Sequence, residues 1–398
     1  MRITALAVVL AASADGETRA KSGPAEEWVR QGSAFMEKER ATADASYRVL
    51  AEAAYKKALK ANPRQAGALI GMARVNSISN RFEASIEWAK KALEVDAANG
   101  SAWGLLGDAE AEMGDYDLAF EHYQKMLDLR QDTASLGRSA HLLYVAGDMK
   151  KASWLTMKAI AAGGEDPEVA SWSRAQLGLL LFAQGGYTPA LQAIEAGLTK
   201  VPRDPRLLAA MGKVKAALKD YPGAIEAYMK SVAIAPRLEV VAALGDVYLA
   251  SGDAKEAERQ FARVESIAKA NRANGIAGVL DLAKFHADHD RDLEEAAKLA
   301  EEEYRTRKNV YAADTLAWCY YKTGRIEEAK KTIAAALARG TPEAAFLYHK
   351  GMIYAKAGDR VTAQKALYSA LSTSPRFDPV QVEWAQRTLA ELGSGASK

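Results

Sequence analysis

Residues 177–202, LGLLLFAQGGYTPALQAIEAGLTKVP, return in pattern 34 residues later as 211–236, MGKVKAALKDYPGAIEAYMKSVAIAP. Leu177-Gly178 becomes Met211-Gly212, Ala190 becomes Ala224, and Pro202 becomes Pro236. Where the first copy has Gly185 in its middle, the second has Lys219. A further shift of 33 aligns Leu244-Gly245, Gly252, Ala257 and Phe261, with Tyr248 between them. Each period reads as a helical hairpin. Glycines such as Gly114, Gly252, Gly324 and Gly358 fall where a first helix must end, and glycine enters the left-handed conformation that closes one. Pro63, Pro202, Pro236 and Pro375 stop the second helices, because proline offers no N–H and cannot continue a helix. Neither helix of such a hairpin can bury its apolar stripe alone, so neighbouring hairpins must stack.

Working outward, Trp103-x2-Leu106-Gly107 leads to Gly114-Asp115-Tyr116, Ala119 and Tyr123. Towards the C-terminus, Lys350-Gly351-x2-Tyr354 leads to Gly358, Ala363, Ala370 and Pro375. Trp28, Gly32 and Phe35 open the first unit and Tyr55, Ala58 and Pro63 close it, with about seven extra residues around Lys38 to Ser46. This pattern resembles the tetratricopeptide repeat, whose units begin W-x2-L-G-x2-Y and then place Ala, Phe and Pro at fixed spacing. The resemblance implies an all-α, right-handed superhelical solenoid of about ten helix-turn-helix units over residues 25–376. Units start near 25, 66, 100, 133, 171, 205, 238, 277, 310 and 344; the one near 277 has lost most of its anchors. Residues 377–392, from Asp378 an amphipathic stretch, read as a helix capping the open end of the stack, and 393–398 as a polar tail. The length and degeneracy are similar to those of long bacterial tetratricopeptide proteins, a resemblance that implies no specific activity.

The 53 Lys and Arg residues nearly balance 51 Asp and Glu, which argues against nucleic acid as the main partner. One cysteine, Cys319, excludes an internal disulfide framework and a Cys-rich zinc site. At the start, Met1-Arg2, the apolar run Ile3 to Ala12 and Ala12-Ser13-Ala14 have the three-part form of a signal peptide over residues 1–14. Residues 15–24 then form a flexible leader. Export to the periplasm of a Gram-negative cell, or secretion, is the expectation; a cytoplasmic adaptor that keeps residues 1–14 is the alternative. No later stretch is long and apolar enough to span a bilayer.

Once the repeats are laid down, no catalytic domain is left over. G-x-S-x-G, a phosphate-binding glycine loop and H-E-x-x-H are all missing, so neither catalysis nor a cofactor is expected. Glu294-Glu295 and Glu301-Glu302-Glu303 read as solvent-facing helix surface, and Cys319 as a small packing residue. In Phe285-His286-Ala287-Asp288-His289-Asp290, His286 and His289 stand three apart and could share a helix face with Asp288 or Asp290 as metal ligands. The competing reading, which we favour, is a helix C-terminus running into a turn, where histidine suits the helix dipole. No metal is expected.

The resemblance also implies where a partner sits: first helices line a concave groove in which peptides bind. Their inner stripe gives Trp172, Leu179 and Phe182 in the middle of the array and Phe285 in the degenerate unit. It gives Tyr311, Trp318 and Tyr321 in the ninth unit, then Tyr348 and Met352 in the tenth. The sixth and seventh units offer small residues instead, among them Ala209, Ala216, Ala217 and Ala242. Rigid rings bury much area at little entropic cost, so Trp318, Tyr321 and Tyr348 are candidates for a peptide- or helix-binding patch. The alternative is that these rings pack between adjacent first helices. A carboxylate clamp of the chaperone-binding kind is not expected: Val29 and Ser33 replace its Lys and Asn, and Asp108, Asp246 and Asp314 would repel the ligand. The partner is thus expected to be protein or peptide, with end-to-end self-association a further option.

Overall fold

The computed structural model describes residues 23–164, 170–273 and 279–394. The signal-peptide segment, all of the leader but Gly23 and Pro24, and most of the polar tail lie outside the described residues. The described residues form 21 helices and no strand, laid out as ten successive hairpins and a final helix. The hairpins are α1 (Pro24–Thr42) with α2 (Ser46–Ala61), α3 (Ala66–Ile78) with α4 (Phe82–Val95), and α5 (Gly100–Met113) with α6 (Tyr116–Leu129). Next come α7 (Thr133–Val145) with α8 (Met149–Ala162), α9 (Ser171–Ala183) with α10 (Tyr187–Lys200), and α11 (Pro205–Ala217) with α12 (Tyr221–Ile234). The array continues with α13 (Leu238–Ala250) and α14 (Ala254–Ala273), then α15 (Val279–Asp288) and α16 (Leu293–Thr306). It ends with α17 (Val310–Lys322) and α18 (Ile326–Leu337), α19 (Ala344–Lys356) and α20 (Arg360–Thr373), and the lone α21 (Gln381–Ser394). First helices start within two residues of the positions the repeat spacing predicts.

The anchors do what their chemistry requires. Tyr228 of α12 lies on Gly212 of α11 so closely that a Cβ there would come within 2.7 Å of its ring. Ala119, Ala190, Ala224, Ala257, Ala329 and Ala363 are all buried where second helices cross first ones. At the inter-helix turns an aspartate follows the helix-ending residue and caps the next helix. Asp115, Asp148, Asp220 and Asp359 each accept a backbone N–H from the first turn. Lys219, the non-glycine of the series, takes a positive φ of 65° at its turn. The extra residues of the first unit lengthen α1 to 19 residues. The cap starts later than expected: α21 begins at Gln381, because Asp378 Oδ1 accepts the N–H groups of Val380 and Gln381 (both 2.8 Å) and fixes a turn before it.

The superhelix is tight enough to meet itself. Turns of the second to sixth units pack against the unit junctions of the eighth to tenth. Glu112 accepts from Arg307 Nε (2.6 Å) and Asn309 Nδ2 (2.5 Å), while Tyr116 Oη accepts the N–H of Val310 (2.8 Å). Thr341 Oγ1 donates to the carbonyl of Val145 (2.7 Å), and Tyr144 Oη donates to Glu343. Arg376 donates its backbone N–H to Tyr187 Oη (2.7 Å). An apolar layer joins the same edges, with Tyr144, Val145 and Leu180 in one cluster with Val310, Ala313 and Phe346. The central partners are 194–197 residues apart, about six units of roughly 34 residues, so one superhelical layer rests on the next. Glu303, expected on a solvent face, is instead buried in this seam, where it accepts from Asn80 Nδ2 (2.8 Å).

Candidate interaction site

Closure deepens the groove into a bore that stays open to solvent. Four consecutive first helices, α9, α11, α13 and α15, wall a cavity of about 690 Å³, with the Arg376–Pro379 segment on its rim. Two smaller chambers of about 330 and 230 Å³ adjoin it, and Trp172 lines all three. Each wall helix contributes residues at i, i+3, i+4 and i+7, one face of an α-helix. At the first position the wall reads Trp172, Arg206, Glu239, Asp281 from the fifth unit to the eighth. At the last it reads Leu179, Lys213, Asp246, Asp288. Between them, Ala209, Ala210, Ala242 and Ala243 carry only methyl groups, and the room they leave is the cavity.

Most charges in the bore already have partners. Arg206 is tied to Asp204 and Ser171, and Asp246 Oδ1 lies 3.2 Å from His289 Nε2. Asp288 Oδ1 accepts from Trp318 Nε1 (2.9 Å) and from Gln381 Nε2 (2.8 Å), and its carboxylate pairs with Lys284. Burial alone would raise its pKa, but the Lys284 and His349 charges hold it below the usual carboxylate range. Glu239 and Asp281 differ. Both are exposed to solvent on the wall of the bore, and among the described residues neither lies within ion-pairing distance of a cation. Desolvation by the surrounding helices, and then the charge of Asp281, push Glu239 up to about 7 against the opposing charge of Arg237; desolvation also raises Asp281, against Arg307, Lys284 and Arg237.

Of the sequence-predicted partner residues, Trp172, Leu179 and Tyr311 reach the bore with substantial surface, and Phe182 and Phe285 line it with the edges of buried rings. Tyr311 sits half-buried between His141 and Phe346, ring centroids 6.5 and 5.7 Å away. The C-terminal patch requires correction. Trp318 and Tyr348 are 3% exposed and belong to the core, while Phe285, 2% exposed, shows the cavity only a sliver of its ring. Trp318 is sandwiched between Tyr321 (4.7 Å) and His349 (4.2 Å), and Tyr348 packs on Phe377 of the segment leading to the cap. Tyr321 and Met352 are half-buried against the same cluster. Phe285 lies against Phe261 and His289, and Phe182 is buried with Lys213 Nζ 4.9 Å from its ring centre. The physical reason is packing between units: the following unit and the last helix's leading segment cover Trp318 and Tyr348, and the preceding unit covers Phe285.

The three acids read as repelling a carboxylate are each paired. Asp108 accepts from Arg138 (2.8 and 2.9 Å) and Tyr123, Asp246 meets His289, and Asp314 meets the fully buried His349 (2.8 Å). His286 lies in the last turn of α15 and His289 in the turn just past its end, as the helix-end reading expects; His286 is buried, and its Nδ1 has no partner among the described residues. The two histidines of that segment thus have different surroundings, and no three His, Cys, Asp or Glu side chains among the described residues form a metal-holding group. Cys319 is buried 3.8 Å from the carbonyl of Ala283, and desolvation pushes its thiol up to about 12. No helix of the described residues is long and apolar enough to cross a membrane.

The family model of the tetratricopeptide repeat matches residues 50–102, 79–134, 176–238 and 315–379, together more than half of the chain. The chain belongs to the tetratricopeptide repeat family. Among solved structures it is similar to a thermophilic tetratricopeptide protein of Thermus thermophilus, at 18% identity and a TM-score of 0.42, over 48% of this chain and 98% of that one. It is also similar to YrrB, a tetratricopeptide protein with an unusual peptide-binding site, at 22% identity and a TM-score of 0.31, over 47% and 94%. The Cut9–Hcn1 hetero-tetramer of APC/C matches over 94% of this chain and 82% of that one, at 14% identity and a TM-score of 0.49. No curated protein sequence matches the chain. These identities are too low to carry a partner from one protein to another.

Tetratricopeptide arrays are generally non-catalytic scaffolds for protein–protein contact, and here the residues that shape the bore are largely not the bulky ones of the inner stripe. Lys213, Arg237, Glu239 and Asp281 give no signal of their own in the sequence, because each looks like ordinary helix surface. The signal that could have found them is the alanine stripe itself: two consecutive first helices with nothing large on their inner face.

Proposed function

We propose that this tetratricopeptide protein is a non-catalytic scaffold that receives an extended segment of another protein in its axial bore. The observation that carries this reading is the cavity of about 690 Å³ walled by four first helices, apolar at the fifth unit and charged at the sixth to eighth. Cavities of this size with a few polar groups converging on an apolar floor are the usual form of binding sites. In this reading Trp172, Leu179 and Tyr311 are contact residues, with Trp172 resting over Gly137 of the preceding unit. The test is selection of phage-displayed random peptides on the full chain, followed by titration of the synthetic winners. Ala209→Leu/Ala243→Leu fills the bore and is expected to abolish binding while leaving the melting temperature nearly unchanged. Peptides that bind the filled variant as well as wild type overturn the bore.

We further infer from Ile3–Ala12 and Ala12-Ser13-Ala14 that the chain is exported and loses residues 1–14. An intact mass from the native cell that starts after Ala14 supports this; a mass that retains Met1 makes the protein a cytoplasmic adaptor.

A further inference from the structure

We propose that the side chamber of about 230 Å³ adjoining the bore binds a compact zwitterion, a small molecule with a trimethylammonium group at one end and a carboxylate at the other. The inference does not depend on what the larger bore receives. Sites for drug-sized molecules run to about 300–1,000 Å³, so the occupant of this chamber is smaller. Its walls come from both superhelical layers. His141 and Tyr144 of α7 and Trp172 of α9 meet Tyr311 of α17 and Glu343, the residue before α19. No single unit builds it.

The chamber has a basic side and an acidic side. Lys213 and Gln176 line both the chamber and the bore, so they stand where the two meet; Glu343 and Tyr144 line the chamber but not the bore. Lys213 Nζ lies 4.9 Å from the Phe182 ring centre, and among the described residues no carboxylate is within ion-pairing distance of it. Glu343 accepts from the Tyr144 hydroxyl, and among the described residues no cation is within ion-pairing distance of its carboxylate. Rings make up much of the remaining wall. Trp172 and Tyr311 are half-buried and His141 is exposed, so all three present ring surface. The His141 and Tyr311 planes are 12° from parallel with centroids 6.5 Å apart. Desolvation lowers the His141 pKa against the charges of Glu112, Asp108 and Glu343, so its imidazole is uncharged at neutral pH and repels no cation.

These features discriminate between ligands. A trimethylammonium group is held by ring surface and a counter-charge and has no N–H to satisfy. A primary ammonium brings three donors, and the acidic side offers them a single carboxylate that Tyr144 already engages. The ligand's own carboxylate then falls at the mouth, where Lys213 supplies charge and Gln176, one turn after Trp172, an amide donor. A cation alone leaves Lys213 unanswered, and an anion alone leaves Glu343 so.

The test is calorimetric titration of the full chain with glycine betaine, with choline as the cation alone and with butyrate as the anion alone. Betaine is expected to bind at least about tenfold more tightly than either fragment. Lys213→Gln should bring betaine down to the level of choline, and Glu343→Gln should weaken both. Ala183→Leu fills the chamber without altering either charge and is expected to abolish binding. Melting temperatures establish that each variant folds. Should Glu343→Gln open the seam and fail to fold, Lys213→Gln and Ala183→Leu still decide the matter, because Lys213 is exposed and holds no other element. No binding of betaine to wild type overturns the proposal. So does binding that persists at full strength in Ala183→Leu, which places it elsewhere. Choline that binds as tightly as betaine, with Lys213→Gln changing neither, overturns the zwitterion.

Discussion

The inner stripes of two stretches of this solenoid have opposite fates. In the eighth to tenth units the stripe carries Phe285, Trp318 and Tyr348, and all three rings are swallowed by neighbouring helices and the cap. In the sixth and seventh units it carries Ala209, Ala210, Ala242 and Ala243, and a cavity of about 690 Å³ opens above them. In an open groove, bulky rings would be the recognition surface and alanines the bare floor between. Once the superhelix closes on itself, bulky inward residues become plugs and small ones leave the open space.

The sharpest way to break this contrast is to remove a plug. Trp318→Ala deletes a ring stacked on Tyr321 and His349 and takes the indole donor from Asp288. A buried Trp→Ala change typically costs about 3–5 kcal/mol, and we expect a loss of that order in urea denaturation. A loss below about 1 kcal/mol would return Trp318 to the groove surface and restore the C-terminal patch as a binding candidate.

The second test addresses the closure that makes the contrast. Glu112 receives both Arg307 and Asn309 across the seam, so Glu112→Ala leaves a half-buried guanidinium and an amide without their acceptor. Losing a charged hydrogen-bond acceptor of this kind costs about 1–3 kcal/mol. The variant is expected to lose stability in that range and to show a larger radius of gyration by X-ray scattering as the layers part. An unchanged radius with full stability would mean that the apolar cluster of Tyr144, Val310 and Phe346 holds the seam without it.

Much of the fold was legible because each anchor acts within a unit or between neighbours. Gly212 needs only Tyr228, Pro236 only its own helix, and Asp220 only the next turn, so a period of 34 exposes them all. The seam was not legible because it joins residues such as Glu112 and Arg307, 195 positions apart. Its geometry sums small rotations over about six units, and no single anchor encodes that sum. The candidate site failed to show for the same reason. Whether Trp318 faces a ligand or a neighbour depends on the cap and on closure, neither of which its local pattern records. Glu303 makes the point in reverse: placed by its helix among surface acids, it is buried because Asn80 arrives from another layer.

The smallest expected effect distinguishes an empty acidic pocket from an already neutralised one. Desolvation and the charge of Asp281 push Glu239 up to about 7 in the folded chain, against 4.5 for an unperturbed glutamate, and its exposure to solvent keeps the effect on stability small. Between those values the folded chain binds more protons than the unfolded chain, so this group makes the protein less stable as pH rises through the window. Glutamine cannot ionise and escapes that penalty. Glu239→Gln should therefore melt slightly higher than wild type at pH 8, and the difference should shrink towards zero as the pH falls to 4.5. Arg237 lies two residues before Glu239 and Asp281 across the unit boundary, and their opposing charges set how large the gain is. If the variant instead melts lower at pH 8, Glu239 is already paired in the folded protein. The acids on the wall of the bore would then all be neutralised in the resting protein, and the contrast with the plugged C-terminal units would rest on space alone.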